Sequence, residues 1–188
     1  MRSGHYSVPI MKAKLHKYDI ILKREFLKGI IVMKKRIFKV LFYVYVIFLV
    51  FVIVLKFDGS FEKIISLHHS IIENEQSGIK NINVVPFKSI LPYLRNITEA
   101  YAFKNIMGNI LAFLPLGFFI SNKFPKKVIK PIITCFVIIF VIECAQLVFK
   151  IGVFDVDDIL LNMTGSILGI CVNLALYNID SATYLSDM

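Results

Sequence analysis

Four apolar stretches constrain this chain more than any other feature of its sequence. They lie at about residues 37–57, 104–121, 131–149 and 157–177. A membrane-spanning helix needs roughly 20 mostly apolar residues, and the first and third stretches meet that length without interruption. The second contains Pro115 and Gly117, and the fourth carries polar residues in its first half. We therefore predict an all-α membrane protein with four transmembrane helices.

The composition agrees with a membrane protein and argues against the other classes. Of the 188 residues 57% are hydrophobic, and a soluble domain of this size has too little interior to bury them. The net charge of +9 lies mainly beside the apolar stretches, and no nucleic-acid-binding motif is present. We expect a multi-pass protein of the cell membrane with no nucleic-acid partner.

The cysteines do not indicate a metal or a cofactor. Cys135, Cys144 and Cys171 all lie inside apolar stretches, without a CxxC pair or a His/Cys ligand spacing. Cysteines in such positions behave as small apolar packing residues. We predict no metal site and no cofactor.

The basic residues predict the orientation. Residues 1–36 hold ten Lys or Arg against two acidic residues, and residues 122–130 hold four Lys and no acid. The positive-inside rule places both segments in the cytoplasm, together with the tail 178–188. The loop 58–103 and the turn 150–156 are then outside.

The part of the basic N-terminal segment, residues 1–36, that precedes Met33 can be interpreted in two ways. Residues 1–32 are weakly amphipathic and could lie on the inner membrane surface. Alternatively, translation begins at Met33, since MKKRIFKVLF is a normal start for a bacterial membrane protein. N-terminal sequencing of the native protein separates the two.

Polar and small residues share one face of the fourth helix. At 100° per residue, four of them fall within about 60° of one another: Asp158, Asn162, Gly165 and Gly169. Asp155 joins this stripe if the helix reaches it, whereas Asp157 falls outside it. Asp157 and Asp158 are also explained as acidic residues in the first turn of a helix. Gly165 and Gly169 form a pair typical of close helix packing.

Two other helices carry paired polar residues. Glu143 and Gln146 are spaced i, i+3, and Asn105 and Asn109 are spaced i, i+4. A carboxylate inside a span costs on the order of 2.5–3.5 kcal/mol, so Glu143 should face a partner, a cavity or water. The asparagines have an alternative role as interhelical hydrogen-bonding groups that only hold the bundle together.

The predicted topology brings these polar residues to one depth, near the outer face. Scattered polar contacts between helices need not share a level, whereas a polar pocket open to the outer leaflet would. The candidate binding residues are Asn105, Asn109, Glu143, Gln146, Asp155, Asp158 and Asn162.

The loop before the second span has its own apolar face. Its residues, interrupted by Pro86 and Pro92, indicate an interfacial or re-entrant segment: Val84, Val85, Phe87, Ile90, Leu91 and Leu94. Lys88 and Arg95 would then lie at headgroup level, either binding phosphate or simply solvated. The pair at residues 68–69, His-His, has no ligand pattern and is predicted to lie in a surface loop.

Four blocks of sequence together resemble the VanZ family. NVVPF, NIMGNILAFLPLGF, ECAQ and FDVDDILLNMTGSILG occur in the family's order and spacing, across about residues 38–177. These are small bacterial membrane proteins named for a member associated with teicoplanin resistance. The resemblance implies the polar positions given above. It also implies five framework residues: Pro86, Phe87, Pro115, Gly117 and Gly165. Gly169 is added to this framework because it pairs with Gly165 for close helix packing. Many relatives carry Arg before the FDxDD block, where the nearest cation here is Lys150.

Three functions are compatible with this pattern. The first is a protein that binds a membrane lipid, a lipid-linked envelope precursor or a glycopeptide at the outer leaflet and alters drug access. The second is a membrane enzyme acting on a lipid-linked envelope substrate through its carboxylates, although no activated nucleophile and no catalytic residue is identified. The third is a transporter or a subunit of an envelope complex. Loss of function on removing the charge of Glu143 is expected for the enzyme.

Overall fold

A computed structural model of the chain describes residues 7–55 and 61–186, with side chains for residues 18, 21–53, 62 and 65–179. The described part is almost entirely helical. Its elements, in chain order, are α1 (Ser7–Leu55), α2 (Phe61–Gln76), β1 (Ile82–Asn83), α3 (Ile90–Arg95), α4 (Ala100–Lys123), α5 (Ile129–Val148), β2 (Phe154–Asp155) and α6 (Val156–Ser186).

Four of the described helices are long and apolar enough to cross a membrane. These candidate spans are Ile21–Ile53, Ala100–Lys123, Ile129–Val148 and Val156–Ile179. They expose apolar side chains outward, as lipid-facing helices do: Ile133, Val137 and Val141 of α5 are each more than half exposed. The prediction of an all-α protein with four transmembrane helices is confirmed. Helix α1, which contains the first candidate span, begins at Ser7, well before the predicted start of that span at about residue 37.

The chain divides into two units, residues 1–45 and 46–188. The described part of the first unit is the N-terminal portion of α1, in which Lys28 and Glu25 form an exposed ion pair of 2.6 Å. The second unit contains the last turns of α1, helices α2–α6 and both strands. It holds the candidate site within itself.

The second unit is built on a close approach between α4 and α6. A Cβ placed on Gly165 would overlap the backbone oxygen of Ile110, and one on Gly169 would overlap that of Leu114. On the opposite helix, a Cβ on Gly117 would overlap the backbone of Ser166. Glycine is needed at these positions because the two backbones themselves are in contact.

Helix α4 passes without interruption through the residues that made the second span uncertain. Pro115 lies inside the helix and removes the amide that would otherwise bond to the carbonyl of Leu111. Ser166 adds a polar tie across the same helix pair, since its hydroxyl donates to the carbonyl of Phe113 at 3.3 Å. Pro115 and Gly117 therefore belong to a continuous helix that packs against α6.

The loop before α4 is joined to the start of α6 by two short parallel strands. β1 pairs with β2 in the register Ile82 to Phe154 and Asn83 to Asp155. Asn81, which is buried, donates from its side-chain amide to the carbonyl of Ile71 at 3.0 Å and so ties this loop to α2.

The prediction of a surface loop at the two histidines is wrong. His68 and His69 lie within α2, and the Nδ1 atom of the half-buried His68 is 3.1 Å from the carbonyl oxygen of Lys150. The apolar spacing in residues 61–76 forms a helix that packs one side inward, with Ile71 fully buried.

Replacing Gly169 with Ala should destabilise the membrane domain. The added methyl group meets backbone atoms that cannot move independently, and overpacking of this kind costs about 1–3 kcal/mol. The measurement is the temperature at which the purified, detergent-solubilised chain loses its monodisperse gel-filtration peak. The matched control is Gly29→Ala, because nothing lies within 4 Å of a Cβ at Gly29. Equal melting temperatures for the two variants would contradict the close contact between α4 and α6.

Candidate functional site

A cavity of about 70 Å³ lies among α4, α5, α6 and the last turns of α1. Its polar lining consists of two carboxylates and four side-chain amides: Asn105, Asn109, Glu143, Gln146, Asp158 and Asn162. Its apolar lining consists of Val52, Ile53, Phe113 and Ile142. The structure thus brings together six of the seven residues that the sequence predicted for a polar pocket.

These polar residues all lie at one end of the helix bundle. Asn105 and Asn109 are near the start of α4, Glu143 and Gln146 are near the end of α5, and Asp158 is in the first turn of α6. At 1.5 Å per residue, they lie about 3–14 Å along their helices from that end. A shared level arises because α5 runs antiparallel to α4 and α6.

The residues that line the cavity are exposed on one side of it and buried on the other. Asn105 is exposed, and its amide donates to the carbonyl of Tyr101 at 2.9 Å. Asn109 and Asp158 are half-buried, and the Asn109 amide donates to the Asp158 carboxylate at 3.2 Å. The side of the cavity beside Asn105 is therefore the side open to the surroundings.

The buried side presents hydrogen-bond acceptors. Glu143 is 2% exposed, Asn162 is 3% exposed and Gln146 is 8% exposed. Among the described residues, none donates a hydrogen bond to the Asn162 side-chain oxygen. A buried acceptor without a donor costs about 1–3 kcal/mol, so this oxygen is a natural contact for a water molecule or a ligand group.

No lysine, arginine or histidine is among the described residues that line the cavity. Lys150, the cation nearest in sequence to the FDVDD block, instead forms an ion pair of 2.6 Å with Glu75 of α2. The cavity therefore combines carboxylates with neutral amides and has a negative character.

Asp155 differs from the prediction, because it does not line the cavity. It lies on β2, and its carboxylate accepts hydrogen bonds from the Asn83 amide at 2.9 Å and the Ser89 hydroxyl at 2.5 Å. It also accepts from the backbone amide of Asp157 at 2.9 Å. The chain is extended at Asp155, so the helical stripe that included this residue does not reach it.

Asp157 anchors the segment before α4 through its carboxylate, a role that the sequence did not indicate. Its carboxylate is 1% exposed and accepts three backbone N–H groups from the loop before α4. These are the amides of Phe87 at 2.6 Å, Ser89 at 2.7 Å and Ile90 at 3.1 Å. The only hint in the sequence was its position in the FDVDD block, which an acidic first turn of a helix also explained.

The same contact holds an unusual backbone conformation. Phe87 has a φ of 66°, a left-handed conformation that costs roughly 1–2 kcal/mol for a residue with a Cβ atom. Hydrogen bonds to a charged acceptor each contribute about 1.5–3 kcal/mol, enough to offset that cost. Phe87 is 54% exposed, and Pro86 beside it is also exposed.

Helix α3 packs on α4 and α6 close to the cavity. Ile90 of α3 forms a buried cluster with Ile106 and Leu161, and Tyr93 packs against it. Burial raises the pKa of the Tyr93 hydroxyl, and the negative charges of Asp158 and Asp155 raise it further. Tyr93 therefore stays protonated at neutral pH and keeps an O–H donor near these carboxylates.

Replacing Asp157 with Asn should loosen the segment from residue 86 to residue 91. The amide group supplies one oxygen in place of two, so at least one of the three backbone donors loses its acceptor. We expect faster hydrogen–deuterium exchange at the amides of Phe87, Ser89 and Ile90, measured by mass spectrometry on the detergent-solubilised chain. Glu99→Gln is the control, because Glu99 is exposed and makes no side-chain capping bond to α4. Unchanged exchange in the Asp157 variant would refute the anchoring role.

Comparison with known proteins gives one match. The VanZ/LLP1 family model matches residues 42–177, which include α2–α5 and all the residues that line the cavity. No curated protein and no solved structure matches the chain. The matched region covers well over half of the sequence and contains the four blocks of the resemblance. On this evidence the chain belongs to the VanZ/LLP1 family of membrane proteins.

Proposed function

We propose that this protein acts at the outer leaflet of the cell membrane, where it binds part of an envelope lipid, a lipid-linked precursor or a glycopeptide. Binding would change the access of glycopeptide drugs, including teicoplanin, to the envelope. The observation that carries the proposal is the convergence of six polar side chains from three membrane helices on one cavity. Burying Glu143 within a span has a cost, and a binding role gives that burial a purpose.

The outer side is the end of the bundle that the charge distribution favours. Lysines cluster in the segment 122–130, at the end of the bundle away from the cavity, and the N-terminal segment 1–36 is also basic. The positive-inside rule assigns such segments to the cytoplasm, so the cavity would open outward.

An exposed apolar surface beside the cavity supports contact with lipid. Val84, Val85 and Phe87 precede α3 and are each more than half exposed, and Leu94 of α3 is 52% exposed. Such side chains would insert at the membrane interface, where the exposed Lys88 can meet phosphate. The anchoring by Asp157 would hold this surface at a fixed place relative to the cavity.

Expression in a sensitive Gram-positive host tests the proposal. The chain should raise the minimum inhibitory concentration of teicoplanin more than that of vancomycin. Glu143→Gln keeps the shape of the side chain but removes its charge, and it should lose this protection. Glu99→Gln removes an exposed carboxylate and should retain it.

Protein levels in the membrane fraction must be equal for the three forms, measured by immunoblotting of a tagged chain. Absence of protection by well-expressed wild-type protein would contradict a role in drug access. Protection that survives in Glu143→Gln would separate the phenotype from the cavity.

A further inference from the structure

We infer, building on the proposed function, that the group entering the cavity is a protonated primary amine, such as the ammonium group of a lipid headgroup or of a small soluble amine. The proposal takes the cavity as the ligand site and adds the chemical class of the ligand. It is derived from the charge of the cavity, its buried acceptors and its size.

The charge of the lining selects a cation. Glu143 and Asp158 both line the cavity, and no cationic side chain is among its described lining residues. A phosphate or carboxylate entering it would meet two like charges in a poorly solvated place, which is strongly unfavourable. A positive ligand would instead stabilise both carboxylates in their charged form.

The hydrogen-bonding pattern selects a cation that carries N–H groups. An ammonium group has three donors and no acceptor. The buried Asn162 oxygen has no donor among the described residues, and it lines the same cavity as the two carboxylates. Glu143, Asp158 and Asn162 therefore offer one acceptor for each donor of a primary ammonium. A quaternary ammonium has no N–H group and would leave the Asn162 oxygen unsatisfied.

The side chains that line the cavity are less suited to binding a divalent metal ion. Among the described residues, no group of three or more His, Cys, Asp and Glu side chains is placed to hold a metal. Calcium sites use six to eight oxygen ligands, several of them from carboxylates. Two carboxylates with neighbouring amides match the single charge and directional donors of an ammonium group more closely.

The size of the cavity limits how much of the ligand enters. Its volume of about 70 Å³ is about half that of the 150 Å³ cavity that accepts benzene. An aminomethyl or aminoethyl group fits this space, whereas a sugar or a whole glycopeptide does not. The exposed Asn105 marks the side from which the rest of the molecule would extend.

Binding of ethanolamine and choline to the full chain tests the inference. The chain is purified and placed in phosphatidylcholine nanodiscs, and both amines are titrated by isothermal calorimetry. Ethanolamine should bind saturably, and choline should bind at least about tenfold more weakly because its quaternary ammonium group carries no N–H donor. Glu143→Gln and Asn162→Leu should lose ethanolamine binding, whereas Glu99→Gln should retain it. A monodisperse gel-filtration peak and an unchanged melting temperature establish that each variant is folded.

The source of the amine is separated by native mass spectrometry. Retention of phosphatidylethanolamine over phosphatidylcholine, lost in Glu143→Gln, would identify a lipid headgroup as the ligand. Binding of free ethanolamine without such retention would identify a small soluble amine.

Three results would overturn the inference: equal binding of ethanolamine and choline, full binding by a folded Glu143→Gln variant, or binding of sodium or magnesium ions but no amine. The drug-susceptibility measurement is independent of these results. Teicoplanin protection without amine binding would leave the proposed function standing and reject the ligand class. Amine binding without protection would support the ligand class and reject the proposed role in drug access.

Discussion

The direct backbone contact between α4 and α6 is the constraint on which the rest of the membrane domain depends. Gly165 and Gly169 of α6 lie against the carbonyl groups of α4, and Gly117 of α4 lies against α6, so no side chain separates the helices. This close contact fixes how each helix is rotated about its axis, because rotating either one would bring a Cβ atom into the backbone of the other. Asn162 lies about one turn before Gly165 on α6 and lines the cavity. The close contact between α4 and α6 is therefore directly next to the cavity along α6.

The three aspartates of FDVDD show how neighbouring residues acquire different roles. Asp158 points into the cavity and accepts from Asn109. Asp157, rotated by about 100° on the same helix, faces the loop before α4 and accepts three of its backbone amides. Asp155 lies on the preceding extended residues and binds Asn83 and Ser89. The same short block therefore builds one wall of the cavity and fixes the exposed apolar loop beside it.

These two features are the basis of the proposal that the protein binds a ligand at the membrane surface. A small acidic cavity can select one functional group, and the apolar loop can hold the remainder of an amphipathic molecule in the lipid. Such a division suits a lipid-linked ligand, because its polar group and its chain meet different parts of the protein. Family membership and the four candidate spans agree with a membrane protein, and the small size of the cavity makes the chemistry of the selected group the central question of the proposal.

The sequence by itself determined the four membrane helices and six members of the polar cavity, because both depend on local periodicity. Apolar length predicts a span, and a stripe at 100° per residue predicts which side chains on one helix share a face. The helical stripe does not predict the position of Asp155, because the chain is extended there. The prediction of a loop at His68 is wrong because residues 61–76 form a short amphipathic helix. Only the tertiary structure decided the roles of Asp157 and Asn83. The amides that Asp157 accepts from are 67–70 residues away along the chain, and Asn83 donates to Asp155 over 72 residues. No local pattern encodes a contact over such a distance.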